Sequence, residues 1–208
     1  MPARQNLQKD LPVRRAASQR IIMAARRYYL SHGFRRVTMD DLAEELGMSK
    51  KTLYACFTSK AALLKAVLVD KFNEIDADLL RVTSDSADVH TSLHRLLACI
   101  QRHTEEIQPP FVRDIQREAP EMFQLVERRR REIILRHFGR LFELGRRDGI
   151  IRKDIPTRLI VEILLGATQA ILNPPKMAEL NLTPKTGFTA IIAVILQGAL
   201  TKAGKSTR

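Results

Sequence analysis

Apolar residues recur at intervals of three and four along most of the chain, which is the spacing of one helical face. The first series covers residues 14–31, and Gly33 follows it as a helix stop. Residues 1–12 lack this periodicity and are expected to form a mobile arm. Almost no segment alternates polar and apolar residues at period two, so strands have little support. The pattern predicts an all-α protein.

Two short helices are predicted after Gly33. Thr38 precedes an acidic first turn as an N-cap, and the helix that it opens stops at Gly47. Ser49 opens a third helix over residues 50–56, and Ser59 opens a fourth that reaches about residue 81. Small helices this close together indicate a compact N-terminal unit.

The second part of the chain carries longer helices. Residues 82–89 are rich in Ser, Thr and Asp and carry no periodic pattern, so they mark a boundary. The last two helices are apolar on more than one face and must be buried on nearly all sides. They lie either inside a monomer core or against their copies in a dimer. Helical series are predicted at about 93–107, 121–147, 157–172 and 186–203.

The net charge of the chain indicates which class of partner it binds. The 208 residues carry a net charge of +12, and residues 1–60 hold +7 of it, from twelve Lys or Arg and five Asp or Glu. This excess points towards a polyanion. Two cysteines give no disulfide framework, and the apolar runs are shorter than the roughly 20 residues that span a bilayer. We expect a cytoplasmic protein that does not enter a membrane.

The most informative stretch is residues 38–57, with the sequence TMDDLAEELGMSKKTLYACF. Two short helices meet through Gly47, and Ala43 is the small residue that lets them cross closely. This arrangement is typical of a DNA-binding helix-turn-helix, whose second helix enters the major groove. Its first residues are two hydroxyls and two cations, suited to base edges and phosphates. A helical hairpin with solvated lysines fits the two helices alone equally well.

The flanking sequence decides between these alternatives. Residues 20–67 read RIIMAARRYYLSHGFRRVTMDDLAEELGMSKKTLYACFTSKAALLKAV. They closely resemble the N-terminal domain of TetR-family (tetracycline-repressor-like, AcrR-type) transcriptional regulators, in their order of Ala-Ala, aromatic, Gly-Phe, Thr, Leu-Ala, Gly-x-Ser, Thr-Leu-Tyr, Phe and Ser-Lys. The resemblance implies an all-α fold, with an N-terminal three-helix helix-turn-helix domain and a C-terminal helical domain for ligand binding and dimerisation.

The resemblance also implies residue roles. Thr38 would cap the second helix and contact a phosphate, the recognition helix would read DNA with its first residues, and Tyr54 and Lys60 would contact the backbone. Lys51 and Cys56 depart from the family pattern, which commonly has a small residue and an aromatic or His there. Lys51 adds a base or phosphate contact, and the usual contact from position 56 is in doubt. The expected DNA-binding residues are Thr38, Ser49, Lys50, Lys51, Thr52, Tyr54 and Lys60.

The implied organisation is a DNA-binding domain over residues 1–60 and an effector-binding and dimerisation domain over residues 61–208, linked by a helix at 61–81. We expect a homodimer through the last two helices, about 157–172 and 186–203, because a helix-turn-helix monomer reads too few base pairs. The expected function is that of a repressor released from a palindromic double-stranded operator by a small-molecule effector, whose pocket residues the sequence does not identify. An activator and a non-specific basic DNA-binding protein are the alternatives.

Other candidate chemistry gives little support for an enzyme. No nucleophile elbow, P-loop, Rossmann glycine motif or paired-carboxylate pattern occurs, so we expect neither catalysis nor a cofactor. His90 and His94 have zinc-like spacing without a third ligand in register, so no metal site is expected. Cys99 is expected on the side of its helix away from Leu93, Leu97 and Ile100.

Three arginines lie on an otherwise apolar helical face. Their spacing places them with Met122, Val126 and Ile133. Such cations either face a pocket for an acidic effector or pair with Glu132 and Glu143, and the second interpretation is favoured. The three are Arg129, Arg136 and Arg140.

Overall fold

A computed structural model describes residues 3–84 and 88–200 of the chain, without the side chains of residues 3–14 and of His90. Within these ranges the all-α prediction is confirmed: the described residues form eleven α-helices and a π-helical turn, and a single isolated bridge joins Ile151 to Leu200. The helices are α1 (Ala3–His32), α2 (Met39–Glu45), α3 (Lys50–Cys56), α4 (Lys60–Ser84), α5 (Val89–Glu105), α6 (Pro109–Glu118), α7 (Pro120–Ile133), α8 (Gly139–Arg147), α9 (Thr157–Ile171), α10 (Pro174–Glu179) and α11 (Pro184–Ala199), with the π-turn Ile134–Phe138 between α7 and α8.

The first helix is longer than the apolar pattern predicts. The structure continues α1 back to Ala3, through most of the segment 1–12 that is expected to form a mobile arm. The backbone of residues 3–12 is helical, the mobility of the arm stays a prediction, and residues 1 and 2 lie outside the described residues. Good helix formers predominate in this segment, among them alanine, glutamine, leucine, lysine and arginine. The helix also passes through Pro12, a residue that disfavours a helix interior, so the sequence pattern does not reveal this extension.

Proline pairs open helices that the sequence analysis did not predict. Pro109 and Pro174 each stand at the first position of a short helix, α6 and α10. Proline fits there because the first turn leaves its N–H groups without intrahelical partners anyway. The capping box of Thr183 likewise starts α11 at Pro184, two residues earlier than expected. The helix predicted over 121–147 is interrupted by the π-turn.

A tight turn at Gly33 joins α1 to the helix-turn-helix and fixes it to α6. The φ angle of Gly33 is +94°, in the left-handed region that favours glycine, and a Cβ atom there would lie 2.6 Å from Oδ2 of Asp114. That carboxylate accepts the backbone N–H of Arg35 at 2.9 Å. The N–H of Gln108 donates to the carbonyl oxygen of Leu30 at 3.0 Å. The end of α1 and the turn after it are therefore hydrogen-bonded at two points, one to the residue that precedes α6 and one to α6 itself.

An N-terminal core holds α1 to α4 together. Ile21, Leu42 and Leu53 are fully buried in it, one from each of the first three helices, together with leucines of α4. Side chains of α6, Phe111 and Ile115, complete the same core. The helix-turn-helix is thus anchored on a helix that lies well beyond residue 60, and the proposed division of the chain at that residue stays a prediction.

A second core fills the rest of the molecule. It is built by the C-terminal half of α4, by α5 and by α7 to α11, and the Phe138 ring packs edge-on against Phe142 and Phe188, with centroids 5.8 and 6.3 Å away. Cys99 is fully buried in this core. Its expected position away from the apolar face is wrong, because the buried face of α5 also takes in Leu96, three residues earlier.

The last two helices each bury one face and expose another. Leu159 and Ile163 of α9 are 50% and 51% exposed, and Val194 of α11 is 72% exposed. The monomer core therefore leaves their second apolar face uncovered. Among the described helices no single one is long and apolar enough to cross a membrane; only α3 and α4 taken together, bent by 59°, pass that test of length and composition.

Candidate nucleic-acid interface and internal cavity

The N-terminus of α2 is closed by a complete capping box. The backbone N–H of Asp41 donates to the hydroxyl oxygen of Thr38 at 3.1 Å, and the N–H of Thr38 donates to the Asp41 carboxylate at 2.8 Å. That backbone hydrogen bond lowers the pKa of Asp41. The Thr38 side chain also hydrogen-bonds the Asp41 carboxylate, which lowers that pKa further. Thr38 is exposed, so DNA has access to its hydroxyl group.

The N-terminus of α3 presents hydroxyl groups in the same way. Ser49 is the N-cap, and its Oγ accepts the backbone N–H of Thr52 at 3.1 Å. The two hydroxyl oxygens lie 2.9 Å apart. Both residues are exposed, and this helix end carries partial positive charge from its free N–H groups. The arrangement suits an anion such as a phosphate.

Lys50 does not project freely from α3. Its Nζ donates to Oδ2 of Asp40, in the first turn of α2, at 2.6 Å. This hydrogen bond raises the pKa of Lys50. Both side chains are more than half exposed, so a competing phosphate has access to the ammonium group. The carboxylate partner was missed in the sequence, where its ten-residue separation from Lys50 gives no signal.

Lys51 and Tyr54 are exposed on α3. Neither makes an ion pair or a side-chain hydrogen bond to the part of the chain that the structure describes. Lys60, at the first position of α4, is held more firmly: its Nζ lies 4.3 Å from the Phe34 ring centroid and 3.3 Å from the carbonyl oxygen of Arg35. Burial lowers the pKa of Lys60.

The seven predicted residues therefore collect at three adjoining helix starts. Thr38 stands at α2, Lys60 at α4, and the other five in α3 and its cap. Further basic side chains lie beside them, since Arg35 and Arg36 of the α1–α2 turn share a groove with Arg113 and Arg117 of α6. Asp114 and Glu118 line the same groove and offset part of its charge.

An internal cavity of about 140 Å³ lies between the two cores. Its lining is mostly apolar and is drawn from α1, α4 to α7, α11 and the α9–α10 segment. Leu30, Phe111 and Ile115 line it and also belong to the N-terminal core. The polar residues of the lining are Lys71, His103, Thr104 and Arg130.

Lys71 is the side chain in this cavity that the sequence analysis overlooked. It is only 4% exposed, and it donates to Glu106, the C-cap residue of α5, and lies 3.1 Å from Nδ1 of His103. Burial lowers its pKa, against the effect of Glu106. The signal was present, because Lys71 stands four residues after Val67 and four before Ile75 on the apolar face of α4.

Two of the three arginines on the apolar face are paired with acids. Arg129 donates to Glu132 at 3.0 Å, as the favoured interpretation predicts. Arg136 donates to Asp76 of α4 at 2.5 Å instead of to Glu143. Arg140 is exposed and lines a separate groove. None of these three arginines lines the internal cavity.

One group of side chains has the spacing of a metal site. Asp78, Cys99 and His103 place ligand atoms within 4.8 Å of one another. Arg81 pairs with Asp78, Arg102 donates to the Cys99 sulfur and Lys71 lies against His103. A cation already contacts each candidate ligand, which opposes binding of a metal ion.

The side chain of His90 lies outside the described residues, so the expectation drawn from the His90 and His94 pair stays a prediction.

Two short helices crossing on a shared core, with a basic, hydroxyl-bearing recognition helix exposed, define a helix-turn-helix DNA-binding regulator. Residues 21–67 match the family model described as bacterial regulatory proteins, tetR family. In this match and in its fold the chain resembles TetR-family transcriptional regulators, with the helix-turn-helix domain at its N-terminus and a larger helical domain after it.

Known proteins resemble the chain over most of its length. YvaF, an uncharacterized HTH-type transcriptional regulator of Bacillus subtilis (strain 168), is 23% identical over 183 residues, covering 86% of this chain and 94% of that protein. A Saccharomonospora viridis protein described as a transcriptional regulator, in complex with choline, has a TM-score of 0.70 at 18% identity over 90% of this chain and 99% of that one.

SmeT, the repressor of the Stenotrophomonas maltophilia multidrug efflux pump SmeDEF, has the same fold. Its TM-score is 0.62 at 19% identity, over 90% of this chain and 92% of that one. The structure of its complex with triclosan has a TM-score of 0.62 at 17% identity, over 91% of this chain and 94% of that one. Because the sequence identities to these solved structures are low, the similarity shows a shared fold only.

Proposed function

We propose that the chain is a homodimeric repressor that occupies a palindromic operator in the cytoplasm and leaves it when a small molecule binds in the C-terminal domain. The described cavity and the exposed recognition helix are the two sites that this function needs. Fold relatives include SmeT, described as a repressor, and complexes with choline and triclosan. The role is regulatory and needs no catalysis.

In this proposal the starts of α2, α3 and α4 hold each half-site. Thr38 and Lys60 contact phosphates on either side of the recognition helix, and Tyr54 contacts the backbone through its hydroxyl. The first residues of α3 face base edges in the major groove. These residues are Ser49, Lys50, Lys51 and Thr52. Lys50 exchanges its bond to Asp40 for a contact with DNA.

The partner of α9 and α11 is a second copy of the chain. Their uncovered faces are apolar, with Leu159, Ile163 and Val194 exposed. Exposed small residues beside them, among them Gly166 and Ala193, permit close approach of helices. Two helices from each copy form a four-helix interface, and its two-fold symmetry matches that of a palindrome.

Ligand binding in the cavity is coupled to DNA binding through residues that belong both to the cavity wall and to the N-terminal core. Leu30, Phe111 and Ile115 line the cavity and also pack the N-terminal core, so a ligand that moves α6 acts on the support of the helix-turn-helix. Arg26 of α1 also donates to Glu74 of α4 and, at 2.9 Å, to Glu106 at the end of α5. Helix α4 runs from the DNA side at Lys60 to the cavity and links the two sites mechanically.

The shared wall between cavity and N-terminal core is the observation that carries this proposal. Its test is a footprint on the protein's own upstream region, followed by titration of the footprinted duplex with a compound that stabilises the protein. By linkage, a compound that lowers DNA affinity must bind more weakly to the DNA-bound protein by the same factor. A compound with equal affinity for the free and the DNA-bound protein does not change the affinity for DNA.

Deletion of the gene separates the alternatives. A repressor predicts increased transcription from the footprinted promoter after deletion, and an activator predicts a decrease. A non-specific basic protein gives no discrete footprint. A discrete, palindromic footprint with two chains per duplex supports the proposal.

A further inference from the structure

The cavity contains one buried donor that the protein leaves unused. Lys71 is 4% exposed, and an ammonium group has three N–H donors. Glu106 and Nδ1 of His103 accept two of them, and no third acceptor lies within hydrogen-bond distance among the described residues. Tetrahedral geometry points the third donor away from both partners, and the lysine lines the cavity.

The other polar groups of the lining do not offer an equivalent donor. The hydroxyl of Thr104 donates to backbone carbonyl oxygens of its own helix. His103 uses both ring nitrogens, one against Lys71 and one 3.0 Å from Asp78. Arg130 donates one N–H to Glu127 at 2.7 Å and keeps other N–H groups, but its side chain is 22% exposed to water, whereas that of Lys71 is 5% exposed. Lys71 is thus the one lining cation that lacks access to solvent.

The charges around the cavity are already balanced. Lys71 contacts the carboxylate of Glu106, Arg26 contacts Glu74 and Glu106, and Arg130 contacts Glu127. A ligand with a net charge would enter a mostly apolar space without a free counter-charge, and burying an unpaired charge is costly. An uncharged acceptor takes the remaining N–H without that cost.

The cavity volume limits the size of the ligand. At about 140 Å³ it is close to the engineered cavity of about 150 Å³, lined by Leu, Ile and Phe, that binds benzene. A single ring with a short substituent is of the right order. Longer molecules require the walls to move.

We propose that the effector is a compact, uncharged and mostly apolar molecule whose one acceptor oxygen, a carbonyl or ether oxygen, takes the third N–H of Lys71. This inference rests on the proposed function in assigning the cavity to the effector. It predicts a ranking of ligands by polarity at constant shape.

The test uses four probes of matched size: acetophenone, cumene, benzoate and 1-phenylethylamine. Calorimetric titration of the full chain without DNA should give acetophenone an affinity at least about tenfold above that of cumene, the value of one hydrogen bond to a charged donor. Benzoate and the amine should bind more weakly than acetophenone. A carbonyl carbon label on acetophenone should shift downfield on binding.

Lys71→Met removes the donor and keeps an unbranched side chain of similar length. The ratio of acetophenone to cumene affinity should fall to about one, mainly through loss of acetophenone binding. Thr104→Val is the matched control, because its hydroxyl is occupied by backbone carbonyl oxygens, and it should keep the wild-type ratio. If Lys71→Met fails to fold, the inference is still tested by the order of probe affinities for the wild-type chain and by the chemical shift of the acetophenone carbonyl carbon.

Tightest binding by benzoate or by the amine overturns the inference, as does equal affinity for acetophenone and cumene or no binding of any probe. The effect on DNA is measured separately. The predicted ranking without any change in operator affinity refutes the effector role and leaves the cavity chemistry standing. Release of DNA by a charged molecule that binds in this cavity refutes the chemistry and leaves the proposed function standing.

Discussion

Removal of the Asp40 carboxylate should strengthen DNA binding. Asp40 accepts the Lys50 ammonium at 2.6 Å, so the free protein holds this recognition-helix cation on an internal partner. Asp40→Asn keeps the shape of the side chain and releases the lysine. We expect higher operator affinity and a steeper salt dependence, with the N-terminal core intact because Asp40 is exposed.

The magnitude follows from counting phosphate contacts. Each contact contributes about 0.9 to the slope of log affinity against log salt. In the wild-type complex the Asp40 carboxylate takes up a cation when Lys50 leaves it, which offsets this release; the variant has no such offset, so its slope is steeper by about 1.8 for a dimer. Over a change from about 50 to about 200 mM salt, the ratio of variant to wild-type affinity then changes about twelvefold. The gain is largest at low salt.

Fluorescence anisotropy of a labelled operator duplex over a salt series measures this slope. Glu44→Gln is the matched control, since it removes the same charge from the exposed face of α2 and Glu44 pairs with no cation among the described residues. A second control repeats Asp40→Asn in a Lys50→Ala background. Equal effects of the two acidic substitutions, or a gain that persists without Lys50, would refute the reasoning.

Three further predictions follow from the same geometry. Thr38→Ala should lower the free energy of unfolding, measured in urea, by about 1 kcal/mol because the N-cap is lost. Thr38→Asp should keep the cap and the stability but lose operator affinity, because its carboxylate repels phosphate. Lys51→Ala should reduce the salt slope by about 1.8 per dimer, and Arg147→Ala, an equal change on an exposed distant helix, should leave it unchanged. Val194→Glu should give a folded monomer in sedimentation, because this side chain is 72% exposed in the single chain; a persistent dimer would show that the interface lies elsewhere.

Local signals explain why the helix-turn-helix was predictable. The caps at Thr38 and Ser49 and the stop at Gly33 involve residues that are close in sequence. Their chemistry acts on the neighbouring backbone, so the pattern alone locates the helix ends. The helix boundaries within residues 38–57 consequently agree with the structure.

Long-range contacts explain what the sequence concealed. The Lys50–Asp40 pair crosses between two helices, and the burial of Lys71 depends on Glu106 of another helix. Periodicity places a lysine on a face but does not reveal which acid will meet it. The cavity also depends on where α6 lies, and the proline pair that opens this helix is read from the sequence as a stop.

Three lysines of the N-terminal region differ in their surroundings, although each carries the same charge. Lys50 is paired with Asp40, Lys60 lies over an aromatic ring and Lys51 is exposed. A net charge predicts attraction to DNA but not this division of roles. Substitutions at the three positions are therefore expected to differ in their effects.

Competition between the footprinted operator and bulk DNA, at fixed salt and with the stoichiometry determined, tests the central claim most directly. A dimer that places two recognition helices about 34 to 36 Å apart should prefer its operator by roughly 10³-fold or more, with two chains per duplex. Equal affinity for operator and bulk DNA would contradict the account.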